Sequence, residues 1–197
     1  IELSIYNKIN KDSPFAAQKV SESSNKFFYK RRSGYFLLFV DFIPEIFDDQ
    51  NELRPPSELK EVKIANFDLS KAYCAVYNSS LFWWYFVISS DFRNVNSREI
   101  ESFPIELLDV NQIESLENLN ANLMNDIKLN SLFVINNYKK FGLTRVQTFY
   151  HNKSKSIIDQ IDTVLAEHYG VTEEELDFII NYDIKYRMGN ELNAEEE

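Results

Sequence analysis

Cysteine is nearly absent from this sequence. The single thiol, Cys74, excludes an internal disulfide and a cysteine-built zinc site, and it fits a reducing cytoplasm. Glycine (4) and proline (5) are also scarce, which argues against a loop-dominated fold. Neither a G-x-G-x-x-G nor a G-x-x-x-x-G-K-[ST] phosphate loop is present. The two histidines, His151 and His168, stand 17 residues apart with no Cys or Asp at ligand spacing. They read as exposed or hydrogen-bonded side chains, not as metal ligands. Long hydrophobic runs are missing too. The longest unbroken one, Leu81 to Ile88, falls well short of the ~20 residues a membrane-spanning helix needs, and no signal-like leader opens the chain. Local sequence suggests no Ser–His–Asp grouping, and Glu99 and Glu101 alternate in a polar stretch where carboxylates are usually solvated. The expectation is no catalytic residue, no metal and no membrane contact.

What is present is core-forming material. Of 197 residues, 44% are hydrophobic, with 16 Phe, 11 Tyr and 2 Trp, enough for one folded domain. Trp83 and Trp84 lie in the most apolar stretch and read as core, as does Cys74, since a free thiol behaves as a small hydrophobe. The chain opens at Ile1 rather than Met, which predicts a piece of a longer protein.

Charge is unevenly spread. The net charge is −10, and residues 159–197 hold 12 acids against only Lys185 and Arg187. Residues 1–158 therefore balance at zero. Between Asp126 and Asp159 no acid occurs, but six bases do: Lys128, Lys139, Lys140, Arg145, Lys153 and Lys155. Lys26, Lys30, Arg31 and Arg32 form a second basic group. A basic face beside an acidic lobe is compatible with nucleic acid despite the acidic total.

The pattern of elements is mixed. Ile1–Ile9 reads as a short helix. Lys26–Arg32 and Tyr35–Phe42 read as a hairpin about Ser33-Gly34, ended by Pro44. Residues 45–57 read as loop and Leu59–Ile64 as a strand. Asp68 is the expected N-cap of a helix through Val76, and Ser80 of a buried helix to Ser89. A polar loop, 91–97, leads to a small element ending at Phe103-Pro104-Ile105. Asp109 caps a long helix with Ile113, Leu116, Leu119, Leu123, Met124 and Ile127 at helical steps. Leu143–Tyr150 is the last expected strand. Two helices follow, one ending at Gly170, the other opened by a Thr172/Glu175 capping box. The fold class is α+β: a mixed small β-sheet with a hairpin, packed by buried helices, plus a C-terminal helical lobe. Residues 1–150 and 151–197 would pack as one structural unit, the second ending in an acidic tail.

The segment Tyr29-Lys30-Arg31-Arg32-Ser33-Gly34-Tyr35 combines bases with flanking aromatics. Such a hairpin can enter the major groove, where arginine reads guanine. The plainer reading is an edge hairpin blunted by charge against aggregation. Arg93 and Arg98 either meet phosphate or neutralise Asp91 and Glu99.

Two further segments carry a resemblance. Asn78-Ser79-Ser80-Leu81-Phe82-Trp83-Trp84-Tyr85-Phe86, followed by Ser90-Asp91 and by Arg98-Glu99-Ile100-Glu101-Ser102-Phe103-Pro104-Ile105, is similar to the target-recognition region of bacterial adenine-specific DNA methyltransferases of restriction–modification systems. It also resembles the recognition domains of type I restriction specificity subunits. Ser154–Asp162 through His168-Tyr169-Gly170 to Glu174–Gly189 looks like the C-terminal end of large single-chain adenine methyltransferases, some fused to a nuclease. Together with the hairpin, the likeness spans about residues 26–189.

The resemblance implies a TaqI-type specificity domain that binds double-stranded DNA beside a methyltransferase domain in cis. It implies cytoplasmic localisation and S-adenosylmethionine in that other domain, with no cofactor here. The family's adenine-gripping Asn/Asp-Pro-Pro-Tyr/Phe motif is absent; Arg54-Pro55-Pro56-Ser57 has the wrong neighbours. The chain by itself is therefore not expected to be an enzyme. Charge, not alignment, nominates the DNA-binding residues. Lys30, Arg31, Arg32 and Tyr35 form the hairpin group, with Arg31, Arg32 and Tyr35 for base edges. Lys139, Lys140 and Arg145 are for phosphates, and Arg93 and Arg98 for either. The main rival is a scaffold lobe that docks the methyltransferase or nuclease domain and barely touches DNA. An independent hydrolase would need a clustered acid–base site.

Overall fold

The computed structural model describes residues 1–10, 23–32, 37–56, 59–105, 108–139 and 142–184. In chain order the elements are α1 (Glu2–Ile9), β1 (Lys26–Lys30), β2 (Phe39–Val40), β3 (Ile46–Phe47), β4 (Leu59–Lys63), α2 (Phe67–Tyr77), α3 (Ser80–Ser89), α4 (Ser97–Ser102) and α5 (Val110–Leu129). They continue with β5 (Leu132–Tyr138), β6 (Gly142–Thr148), a 3-10 turn at His151–Ser154, α6 (Lys155–Tyr169) and α7 (Glu173–Asn181). The class is α+β. The strands divide between two antiparallel three-stranded sheets, ordered β2-β1-β4 and β3-β6-β5.

The first sheet backs the core. Phe27 and Tyr29 of β1 point inward while Lys26 and Lys30 face water, the period-two alternation of a half-buried strand. Phe27, Phe39, Tyr77 and Phe82 interlock with centroid separations of 4.8–6.2 Å. The expected hairpin is present as β1 and β2, paired Phe28 with Val40 and Tyr29 with Phe39. Residues 33–36, which include the expected turn at Ser33-Gly34, lie outside the described residues, as does the expected acidic tail.

Two caps differ from expectation. Asn66, not Asp68, caps α2, its side-chain oxygen accepting the Asp68 amide at 2.8 Å. Ser79, not Ser80, caps α3: its hydroxyl accepts from the Phe82 amide at 3.0 Å and donates to the Val76 carbonyl at 2.6 Å. Each true cap stands one residue outside the helix, where its backbone is extended and its side chain can fold back over the first turn. α3 is buried almost all round, with Trp83 at 2% and Trp84 at 0% exposure. Cys74 is fully buried as well, and burial pushes its thiol pKa well up. Asp109 caps α5 as expected, and α6 ends at Gly170, whose φ of +65° makes the left-handed exit.

Three tyrosine hydroxyls hold the Ile100–Ile105 segment from three helices. Tyr77 donates to the Ile100 carbonyl (2.9 Å), Tyr85 to Ser102 (2.8 Å) and Tyr169 to Pro104 (2.6 Å). Phe103 is fully buried between them. The C-terminal helices belong to the same core. Asp162 of α6, 1% exposed, accepts the Ser80 and Leu81 amides at 3.1 and 3.0 Å. It places a carboxylate on the positive end of α3. Lys8 of α1 pairs with Glu175 of α7 at 2.6 Å.

Three expectations are corrected. Ile46–Phe47, expected as loop, forms the edge strand β3 because Ile46 pairs with Val146 and Phe47 with Arg145. β5 falls where no element was expected. Its side chains are exposed on both faces, so burial on one face never imposed the alternation that marks a strand. Glu99, expected in solvent, is 2% exposed, because it closes a capping box: its carboxylate accepts the Asn96 amide at 2.8 Å and the Arg98 guanidinium at 2.9 Å.

Candidate nucleic-acid interface

β1 leaves the core at Tyr29, which is buried and stacks on Phe39 at 5.6 Å. Beyond that anchor the chain runs through Lys30, Arg31 and Arg32, all exposed. The loop after α3 is drawn alongside it. The Val95 amide donates to the Arg31 carbonyl at 2.8 Å, and Arg32 forms an antiparallel bridge with Asn94. Val95 is 1% exposed, so burial of its side chain fixes the junction. Bridged residues lie about 5 Å apart at their Cα atoms, which sets Arg93 beside the Arg31–Arg32 pair.

Asp91 organises this loop, accepting the Arg93 amide at 3.1 Å. That bond foremost, then the Asn94 amide and the charges of Arg93 and Arg98, hold its carboxyl below the usual range against the opposing effect of desolvation. Arg98 reaches Glu99 at 2.9 Å while its side chain stays 75% exposed. Five nominated cations, Lys30, Arg31, Arg32, Arg93 and Arg98, thus share one end of the molecule with the carboxylates Asp91 and Glu99.

Phe92 belongs to the same loop and was not nominated. Its φ is +60° and it is 40% exposed, with its ring set against Trp83 (5.5 Å) and Phe86 (6.3 Å). A bulky residue at positive φ is uncommon. Here Ser90 Oγ accepts the Phe92 amide at 3.1 Å and, with the Asp91 turn, holds it. An aromatic next to an arginine inside a Ser/Asp/Asn-rich loop is the signal that marks it.

The second basic group is not gathered in the same way. Lys139 is exposed at the tip of the β5–β6 hairpin, and Gly142, with φ +67°, makes the return. Arg145 pairs with Ile135, four residues back from Lys139, which is about 13 Å along a strand. Its guanidinium lies over the Phe47 ring (5.1 Å) and the Phe133 ring (5.8 Å) and donates to the Asn51 side chain. Arg145 thus binds the second sheet together. Lys128 caps the Phe42 ring at 4.2 Å, and Lys155 pairs with Asp159 at 2.5 Å. Tyr35 and Lys140 lie outside the described residues.

Nothing described suggests acid–base chemistry. His168 Nδ1 sits 3.0 Å from Gln112 Oε1, and His151 is buried. Among the described residues no three metal-ligating side chains converge, and no helix is long and apolar enough to cross a membrane. An open groove of about 520 Å³ between Ile1 and α7 is lined by Glu174, Asp177 and Asp183, a sign of charge that repels phosphate. Around Pro55, Arg54 is committed to Asp48 at 2.6 Å and its amide to the Ile46 carbonyl at 2.7 Å. No protein-family model, curated protein or solved structure matches the chain.

Proposed function

We propose that this chain is the DNA sequence-recognition domain of a restriction–modification adenine methyltransferase, supplying specificity to a catalytic domain elsewhere in the parent protein. One observation carries the reading. The Val95–Arg31 bond and the Arg32–Asn94 bridge unite arginines some 60 residues apart in the chain on one exposed end. Arg31 and Arg32 then read base edges in the major groove, where a bidentate arginine discriminates guanine by about 1–3 kcal/mol. Arg93 and Arg98 fix the register on phosphates. Phe92 lies beside them as an apolar contact for a sugar or base. Methyl transfer, S-adenosylmethionine and any nuclease belong to the parent, with which this domain forms a cleft around the duplex and orients the adenine for extrusion.

The scaffold reading has its own support in the acidic groove along α7, a surface suited to a basic partner domain. The two readings separate in one experiment: anisotropy of a labelled duplex pool titrated with the chain at several salt concentrations. The DNA reading expects salt-dependent binding. Arg93→Ala with Arg98→Ala, the pair assigned to phosphates, is expected to lower the slope of log K against log salt by about 2, since each lost phosphate neutralisation contributes roughly 0.9. Lys26→Ala, on β1 and ion-paired with Glu61 at 2.8 Å, is expected to leave the slope unchanged. No binding at low salt, or an unaltered slope in the double variant, overturns the assignment of this surface.

A further inference from the structure

The β5–β6 hairpin stands off the body of the protein. No described residue between Ile127 and Phe149 belongs to the hydrophobic core. The second sheet is tied to the rest through Gln147, whose side chain bonds Ser131 Oγ (2.9 Å) and the Glu45 amide (3.1 Å), and through the Phe42–Phe149 contact at 5.8 Å. Yet its outer strand is the most apolar exposed segment described. Leu132 is 58% exposed, Phe133 45%, Val134 39%, Ile135 65% and Tyr138 47%, with Leu143 opposite at 56%.

We propose that this chain forms a two-fold dimer by antiparallel pairing of β5 with β5 of a second copy, joining the two small sheets into one. Four observations favour a second copy over any other occupant. β5 is the outer strand in the order β3-β6-β5, so one row of its backbone N–H and C=O groups has no strand partner among the described residues. It carries none of the devices that blunt natural edges: no proline, no charge and no inward lysine over Leu132–Tyr138. The six bases of residues 127–158 all lie outside Leu132–Tyr138, so no like charges oppose each other in the seam itself.

The fourth observation is area. The exposed fractions leave roughly 500 Å² of apolar side chain per copy, within the range of a functional patch. Two copies offer at most about 1,000 Å², the lower bound of a specific interface, which fits a dimer that forms reversibly with concentration. A two-fold through Val134 opposes Phe133 to the partner's Ile135, and one through Ile135 opposes Leu132 to the partner's Tyr138; either makes apolar cross-strand pairs. The assembly closes at two, because the far edge of the sheet is only the two-residue β3, itself covered by the Phe47–Leu53 bridge.

Sedimentation equilibrium of the full chain from about 1 to about 200 µM tests this, since dimer population follows protomer concentration. The expected result is a reversible equilibrium between 23.2 kDa and twice that mass. Val134→Lys with Ile135→Lys opposes like charges across the seam and removes two apolar side chains per copy. It is expected to weaken the dimer about 100-fold or more, while the far-ultraviolet spectrum stays that of the wild type. Val134→Lys alone is expected to give part of that shift, and Leu3→Lys, on a side chain 72% exposed on α1, none. A monomer at every concentration, a dimer indifferent to the β5 lysines, or open-ended assembly would each overturn the proposal. None of these results bears on the arginine surface, which the duplex titration tests separately.

Discussion

Glu175→Gln tests how the two ends of the chain are held together. Glu175 lies in the first turn of α7, its side chain 8% exposed, against Lys8 of α1 at 2.6 Å. Burial by itself raises its pKa. The Lys8 ammonium, the Ser4 hydroxyl and the Thr172 amide and hydroxyl outweigh that effect and bring it down from 4.5 to about 2. A carboxylate whose folded pKa is depressed stabilises the fold above its unfolded pKa, and the contribution is lost as pH falls through the folded value. The full shift corresponds to about 3 kcal/mol. Partial exposure of Lys8 screens some of this, leaving about 2–3 kcal/mol above pH 5, with over half gone by pH 3.

The assay is urea unfolding of wild type and Glu175→Gln at half-unit steps from pH 7 to pH 3. The glutamine keeps the shape and an acceptor for the Thr172 amide, so the variant isolates the charge. The expected result is a gap of about 2–3 kcal/mol at pH 7 that narrows below pH 4.5, as the wild type loses what the variant never had. A constant gap across the range, or none at pH 7, would refute the claim that an ion pair and its hydrogen bonds fasten α1 to α7.

Two further perturbations address the core that positions the arginine loop. Asp162→Asn leaves one of the buried Ser80 and Leu81 amides without an acceptor and removes the charge at the start of α3. It is expected to cost about 2–3 kcal/mol, read as a lowered urea midpoint with unchanged m. Tyr169→Phe deletes only the hydroxyl that reaches the Pro104 carbonyl and is expected to cost about 1–2 kcal/mol. The slope of duplex affinity against salt should stay as in wild type for both, because neither touches Lys30–Arg32, Arg93 or Arg98.

Much of the helical structure was legible because its signals are local. Asp109 before an apolar series of threes and fours, Thr172 three residues before Glu175, and Gly170 at a left-handed exit each act within one or two turns of chain. The caps at Asn66 and Ser79 were read one or two residues late, since several polar residues competed for one position and only backbone geometry chooses among them. Strand β5 was illegible for the opposite reason: exposed on both faces, it carries no alternation. Glu99 read as solvated because nothing in its spelling says that Arg98 and the Asn96 amide will close over it.

Local order therefore came from the sequence: which stretches are helices, where they stop, and that Trp83, Trp84 and Cys74 are core. Only tertiary structure decided what those pieces do together. Arg31 and Arg32 meet Arg93 through hydrogen bonds between segments some sixty residues apart, and Asp162 finds the start of α3 across about eighty. Such contacts form only when the whole chain has collapsed around a shared core, because closing a long loop costs entropy that no single bond offsets. The composition of a basic surface is written in the chain; its assembly at one end of the molecule is a property of the fold.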